Sequence, residues 1–180
     1  MSLRCQRANM HTIEIMNKVS TFFLLVIFGC ISTTAIYAKP SPKEVKQTLD
    51  RHNAIRKAHY SSNALAWSDT LAASAQRHAD YLARTNTFAH SGSGYGENLY
   101  EYSTHKSMVD AVNAWYGEKR KFDPHKRKCN GAWYECGHYT QLIWKSTKKV
   151  GCGKSSGTKW KTIVVCQYDP PGNYQGMLPY

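Results

Sequence analysis

Four residues carry the types and spacing from which a site could be built: His90, Glu97, Glu118 and His138. His90 and Glu97 fall within "HSGSGYGEN", a glycine-punctuated stretch in which backbone can come close to a ligand. Glu118 follows Trp115-Tyr116 at the end of a helix-periodic segment. The helix dipole disfavours a carboxylate there, which hints at another partner for it. His138 opens "HYTQLIW", where Tyr139, Leu142 and Ile143 recur at helical spacing. A cation is disfavoured at a helix start, and a ligating or accepting imidazole is at home there. Taken alone, the four also read as two loop histidines and two solvated carboxylates.

The elements around them can be placed from the sequence. Ser41-Pro42-Lys43-Glu44 is a capping box with proline in the first turn, so a helix starts there and runs to about Lys57. Val45, Leu49, His52 and Ile55 share its inner face. Leu65-Ala66-Trp67 is extended. Ser68 caps a second helix with Leu71, Ala75, His78 or Ala79, and Leu82 inward. The glycine loop spans His90 to Asn98, and "NLYEY" reads as a short strand. A third helix carries Met108, Val112 and Trp115 and ends near Gly117 or Lys119. Residues 119–128, "KRKFDPHKRK", read as an exposed basic loop. "KKVGCG" and "WKTIVVCQYD" form a hairpin around Ser155-Ser156-Gly157-Thr158, the second strand largely buried. Helices early and a hairpin late suggest a layered domain with a largely antiparallel sheet.

Composition sets the compartment. Val19–Ile31 is an apolar run behind Lys18, followed by small residues and "AIYA". This reads as a secretory signal cleaved after Ala38, with Met16 as a natural start and residues 1–15 as an upstream extension. A lipid anchor at Cys30, after "IFG", is a weaker alternative, as are a retained anchor and a periplasmic destination. Residues 39–180 then make one domain with a net charge of +10, because Arg4, Arg7, Lys18 and Glu14 leave with the signal. Such basicity favours anionic surfaces, including acidic lipid, cell-wall polymer and polyanionic sugar. No nucleic-acid motif appears, so nucleic acid is not expected as a partner. Cys129, Cys136, Cys152 and Cys166 remain, an even number that reads as disulfides. Of the three connectivities open to them, local pairing of Cys129 with Cys136 and of Cys152 with Cys166 closes a short loop and a hairpin. No two of them have the spacing of a zinc site, and pairing leaves no thiol free for catalysis.

Six stretches, in order, resemble the motifs of the CAP superfamily of cysteine-rich secretory, antigen 5 and pathogenesis-related 1 proteins. They are "LDRHNAIR" (49–56), "LAWSDTLAASAQRHADYLA" (65–83), "HSGSGYGENLY" (90–100), "AVNAWYGEKRKFD" (111–123), "GHYTQLIWKST" (137–147) and "IVVCQYDPPGNY" (163–174). The resemblance covers essentially all of 43–180 and is strongest to pathogenesis-related 1. It implies an α+β fold, a three-layer α-β-α sandwich with a mainly antiparallel central sheet. It also implies a cleft lined by His90, His138, Glu97 and Glu118. The two histidines would ligate zinc or another divalent ion, and the glutamates would support them from behind. Two imidazoles make a weak, open site rather than a strong hydrolytic centre. Ser91 beside His90 raises a serine hydrolase, but no nucleophile elbow accompanies it.

Two departures from the plant pattern stand out. Tyr81 occupies the position of a helix cysteine whose hairpin partner is also missing, which predicts a looser attachment of the second helix. The last eleven residues, 170–180, resemble a tail from which relatives release a signalling peptide; a packed structural tail is the favoured reading. The resemblance further places the loop with Trp133 and Tyr134 where relatives contact lipid. A monomeric, non-enzymatic extracellular protein that binds sterol or other lipid, or acts in defence or virulence, is therefore expected first. A metal-dependent peptidase or esterase, and a signalling module acting through its basic surface, are the alternatives.

Overall fold

The computed structural model describes residues 39–59 and 63–180. The expected signal segment, residues 1–38, lies outside them. Helix α1 is Pro42–Ala58, entered through the Ser41/Glu44 capping box. Strand β1 (Ala66–Trp67) leads to α2 (Asp69–Thr85), capped by the Ser68 hydroxyl. Then come β2 (Gly96–Tyr102) and α3 (Met108–Gly117), the latter with a second capping box from Ser107 and Asp110. A 3-10 turn at Glu118–Lys121 is followed by the small hairpin β3 (Phe122–Asp123) and β4 (Lys128–Cys129). Helix α4 is Gly137–Leu142, and the chain closes with β5 (Lys149–Ser155) and β6 (Thr162–Asp169).

The main sheet has the order β1-β5-β6-β2, with β1 parallel to β5 and the other pairs antiparallel. β6 is central and buried on both faces, as its near-continuous apolar run requires. The two-residue period divides it. Ile163 and Val165 meet Ala75, Ala79 and Leu82 of α2. Val164, Cys166 and Tyr168 meet Ile55, Met108, Val112, Trp115 and Leu142 from α1, α3 and α4. The result is helix, sheet, helix in three layers. Cys152 and Cys166 face each other across β5 and β6 and are bonded, and Cys129 is bonded to Cys136.

Helix α2 is not loosely attached. A Cβ on Gly151 would overlap the backbone of Ala72 and Ser68, and one on Gly153 the backbone of Gln76. The helix therefore lies directly on β5. The Gln76 amide clamps it there, accepting from Lys154 N at 3.0 Å and donating to Lys154 O at 2.8 Å. Close glycine packing and this clamp do the work expected of the missing disulfide.

Arg56 is the unexpected core residue. Fully buried on α1, it donates to the carbonyls of Asn63, Leu142, Trp144 and Thr147 at 2.8 to 3.2 Å. It ties the end of α4 and the turn after it to α1, placing positive charge where the α4 carbonyls are unsatisfied. His52, one turn earlier, is buried between Thr48 O (2.8 Å) and the Tyr168 hydroxyl (3.1 Å).

Candidate functional site

Each of the two histidines has a glutamate behind it. The carboxylate of Glu97 accepts from His90 Nδ1 at 2.9 Å, from Ser91 N at 2.9 Å, from the Ser91 hydroxyl at 2.6 Å and from Gln167 Nε2 at 2.9 Å. It is nearly enclosed, with a side chain 5% exposed. Burial alone would raise its pKa, but His90, Gln167 and Ser91 together outweigh this and hold it down at about 2. The same carboxylate raises the His90 pKa above the usual histidine value. Positive φ at Gly92 (66°) and Gly94 (82°) turns the exposed loop back so that His90 and Ser91 meet Glu97.

Glu118 finds the partner its position demanded. It accepts from the first amides of α4, His138 N at 3.1 Å and Tyr139 N at 3.3 Å, and from His138 Nδ1 at 2.7 Å. A carboxylate misplaced at the end of α3 thus satisfies the start of α4. The His138 ring also stacks on Trp115, with centroids 6.1 Å apart. Asn98, next to Glu97 on β2, donates to the His138 carbonyl at 3.1 Å and links the two His/Glu pairs. Each Nδ1 faces a carboxylate, the contact by which a carboxylate orients a metal-ligating imidazole. Among the described residues no three His, Cys, Asp or Glu side chains are grouped to hold a metal. Each histidine is held by its own glutamate, and an ion taken up here would have these two imidazoles and otherwise water as its donors.

Ser91 is not set up as a nucleophile. Its hydroxyl proton goes to Glu97, and His90 is bonded to that same carboxylate. Two boundaries also differ from the sequence reading. The glycine loop ends before Gly96, because Gly96, Glu97 and Asn98 pair with Tyr168, Gln167 and Cys166 of β6. Glu97 therefore stands on a strand. Residues 119–128 are a 3-10 turn and a hairpin with Phe122 buried under Tyr139 and Tyr180, not a fully exposed loop. Sequence reasoning missed Gln167 and Asn98 as site residues. A fully buried glutamine in the run "IVVCQYD" was the available signal.

A second feature lies away from these pairs. A groove of about 540 Å³ runs between the Cys129–Cys136 loop and the C-terminal tail. Trp133, Lys128 and Arg127 form one wall, Tyr174, Met177 and Leu178 the other, and none of the four His/Glu residues lines it. Trp133 and Tyr134 are 73% and 65% exposed. The tail is tied down at both ends, with residues 173–178 exposed between them. Gly172 N donates to Gln141, Asn173 Nδ2 to Gly137 O, Lys145 N to Pro179 O, and Arg127 to Tyr180 O, all at 2.7 to 2.9 Å.

A helix-sheet-helix sandwich with two His/Glu pairs and two local disulfides is the architecture that the six sequence motifs lead one to expect. The chain belongs to the cysteine-rich secretory protein (CAP) family, whose model matches residues 49–168. It is 41% identical over 159 residues to pathogenesis-related protein 1A of Nicotiana tabacum, covering 88% of this chain and 94% of that one. Among solved structures, BmVAL-1 superposes with a TM-score of 0.66 at 27% identity, covering 79% of this chain and 84% of that one. NaASP2, solved with Zn2+, gives a TM-score of 0.62 at 25% identity, covering 79% and 90%.

Proposed function

We propose that this chain is an exported, non-enzymatic carrier of sterols or related lipids, whose His/Glu cleft holds a divalent ion such as zinc only weakly. The observation that carries the reading is the exposure of Trp133 and Tyr134 on a disulfide-closed loop at the edge of the groove. Two large aromatics in water cost free energy unless a ligand or surface covers them, and their rings pair apolar faces with polar edges. The groove volume falls within the range of small-ligand sites, roughly 300 to 1,000 Å³. Two disulfides support export.

The cleft supports a separate, lesser role. A bound divalent ion would supply a Lewis-acidic centre open to water. Glu97 and Glu118 fix the two rings and keep the protons on Nδ1. The solved relative named with Zn2+ supports zinc as the ion to test. Serine-based acyl transfer is disfavoured, because the Ser91 proton is committed to Glu97.

Saturation binding of a fluorescent sterol to the purified protein tests the carrier reading. Wild type should bind saturably, and Trp133→Ser/Tyr134→Ser should lose at least tenfold in affinity with an unchanged fold by circular dichroism. Equal binding by both proteins would remove this loop as the ligand contact.

A further inference from the structure

The described residues hold nine exposed large apolar side chains, and five of them fall in two neighbouring segments: Trp133 and Tyr134, and Tyr174, Met177 and Leu178. Four of these five border the same groove, so the two segments form one surface. Scattered apolar exposure is ordinary, but a contiguous patch marks an interaction face. The composition of its rim narrows the partner. Residues 119–128 carry Lys119, Arg120, Lys121, Lys126, Arg127 and Lys128 against a single acid, Asp123, and Arg127 and Lys128 themselves line the groove. Three of the six are partly engaged: Lys121 by Glu135 at 3.4 Å, Lys126 by Asp123 at 3.5 Å, and Arg127 by the Tyr180 carbonyl at 2.9 Å. Lys119 lies over the Tyr116 ring. Arg120 and Lys128 are exposed, without an acidic partner among the described residues, and Lys128 lines the groove itself. The tail segment, residues 170–180, adds no acidic side chain.

We propose that this face docks on an anionic lipid bilayer, with the tail as an inserting lip. Tyr174, Met177 and Leu178 enter the headgroup boundary beside Trp133 and Tyr134, while the 119–128 segment meets the lipid phosphates. Trp and Tyr favour the membrane-water boundary, and cations beside an apolar patch add attraction to anionic headgroups. The tail is suited to insertion. It is pinned near its start by Gln141, Thr140 and Gly137 and at its end by Lys145 and Arg127, so Met177 and Leu178 are presented on a closed arch. The inference rests on the lipid-carrier reading and extends it. The bilayer becomes the place where the groove loads and unloads.

Co-sedimentation with sterol-free vesicles tests it, using phosphatidylcholine alone and with phosphatidylserine added. Wild type should sediment with the anionic vesicles and much less with the neutral ones, and salt should release it. Met177→Ser/Leu178→Ser should lower the partition about tenfold or more. Arg120→Gln/Lys128→Gln should lower it about thirtyfold on anionic vesicles and leave the neutral ones unchanged. Tyr81→Ser, which removes an exposed aromatic on α2 outside this face, should match wild type. No vesicle binding, or binding indifferent to the Met177/Leu178 pair, overturns the proposal. Binding to soluble dextran sulfate that tracks vesicle binding in every variant also overturns it, as a polyanion contact alone. A soluble sterol titration on the same samples separates the two ideas. Sterol binding without vesicle binding sinks only the docking face, and vesicle binding without sterol binding sinks only the carrier.

Discussion

Replacing Glu97 by Gln perturbs the more enclosed of the two cleft glutamates. The carboxylate accepts four hydrogen bonds while almost wholly buried, and its pKa stands at about 2 against an ordinary value of 4.5. A group with a depressed folded pKa contributes stability above its unfolded pKa and loses it as pH falls through the folded one. A shift of this size corresponds to about 3 kcal/mol, fully present above pH 4.5 and fading toward pH 2. Glutamine keeps one acceptor but turns an N–H2 toward Gln167 or Ser91, which leaves a donor facing a donor. Urea unfolding at pH 7 should show Glu97→Gln weaker by about 3 kcal/mol, the gap narrowing in steps from pH 4.5 down. A second readout is the titration of His90 by NMR with chelator present. Its raised pKa depends first on the Glu97 hydrogen bond, so it should fall in the variant. The sign is opposite to that of Glu97: the stability His90 gains from this pairing is present below pH 6.5 and lost as pH rises through its folded pKa. A stability gap that ignores pH, together with an unmoved His90 titration, would refute the geometry of the pair.

Other outcomes follow from the core. His52 is buried and its pKa is pushed down to about 4, chiefly by desolvation, so unfolding should become easier as pH falls from 6.5 to 4, by up to about 3 kcal/mol. His52→Gln should flatten that slope in urea titrations at stepped pH. Arg56→Ala strands four buried or partly buried carbonyls and should cost about 3 to 5 kcal/mol, with Arg56→Lys recovering less than half. Gly153→Ala should lower the melting temperature by several degrees, because its methyl meets the α2 backbone rather than a movable side chain; about 2 kcal/mol or more is expected.

Several of these features could be read from local sequence. The capping box at Ser41, the cap at Ser68 and the buried strand around "IVVC" depend on neighbours within a few residues, and all are present. The charge argument for Glu118 also worked, because a carboxylate at the end of one helix had to be satisfied elsewhere, and the start of α4 does so. What stayed hidden depends on pairs far apart in the chain. Nothing in the sequence near Arg56 reports its acceptors at 142, 144 and 147. Gln76 clamps Lys154 across 78 residues, and no periodicity reports that. Gln167 shows only as a polar residue in an apolar run, without the identity of its partner. Trp133 and Tyr134 are indicated by the family resemblance alone, and the second wall of the groove comes from the tail, some forty residues on.

The most direct measurement is sterol binding by wild type and by His90→Ala/His138→Ala, each with added zinc and with chelator. If the groove and the cleft are separate sites, all four titrations give the same affinity within about twofold. Binding that disappears on chelation, or in the double variant while the fold is intact, would contradict that separation and place the ligand in the His/Glu cleft.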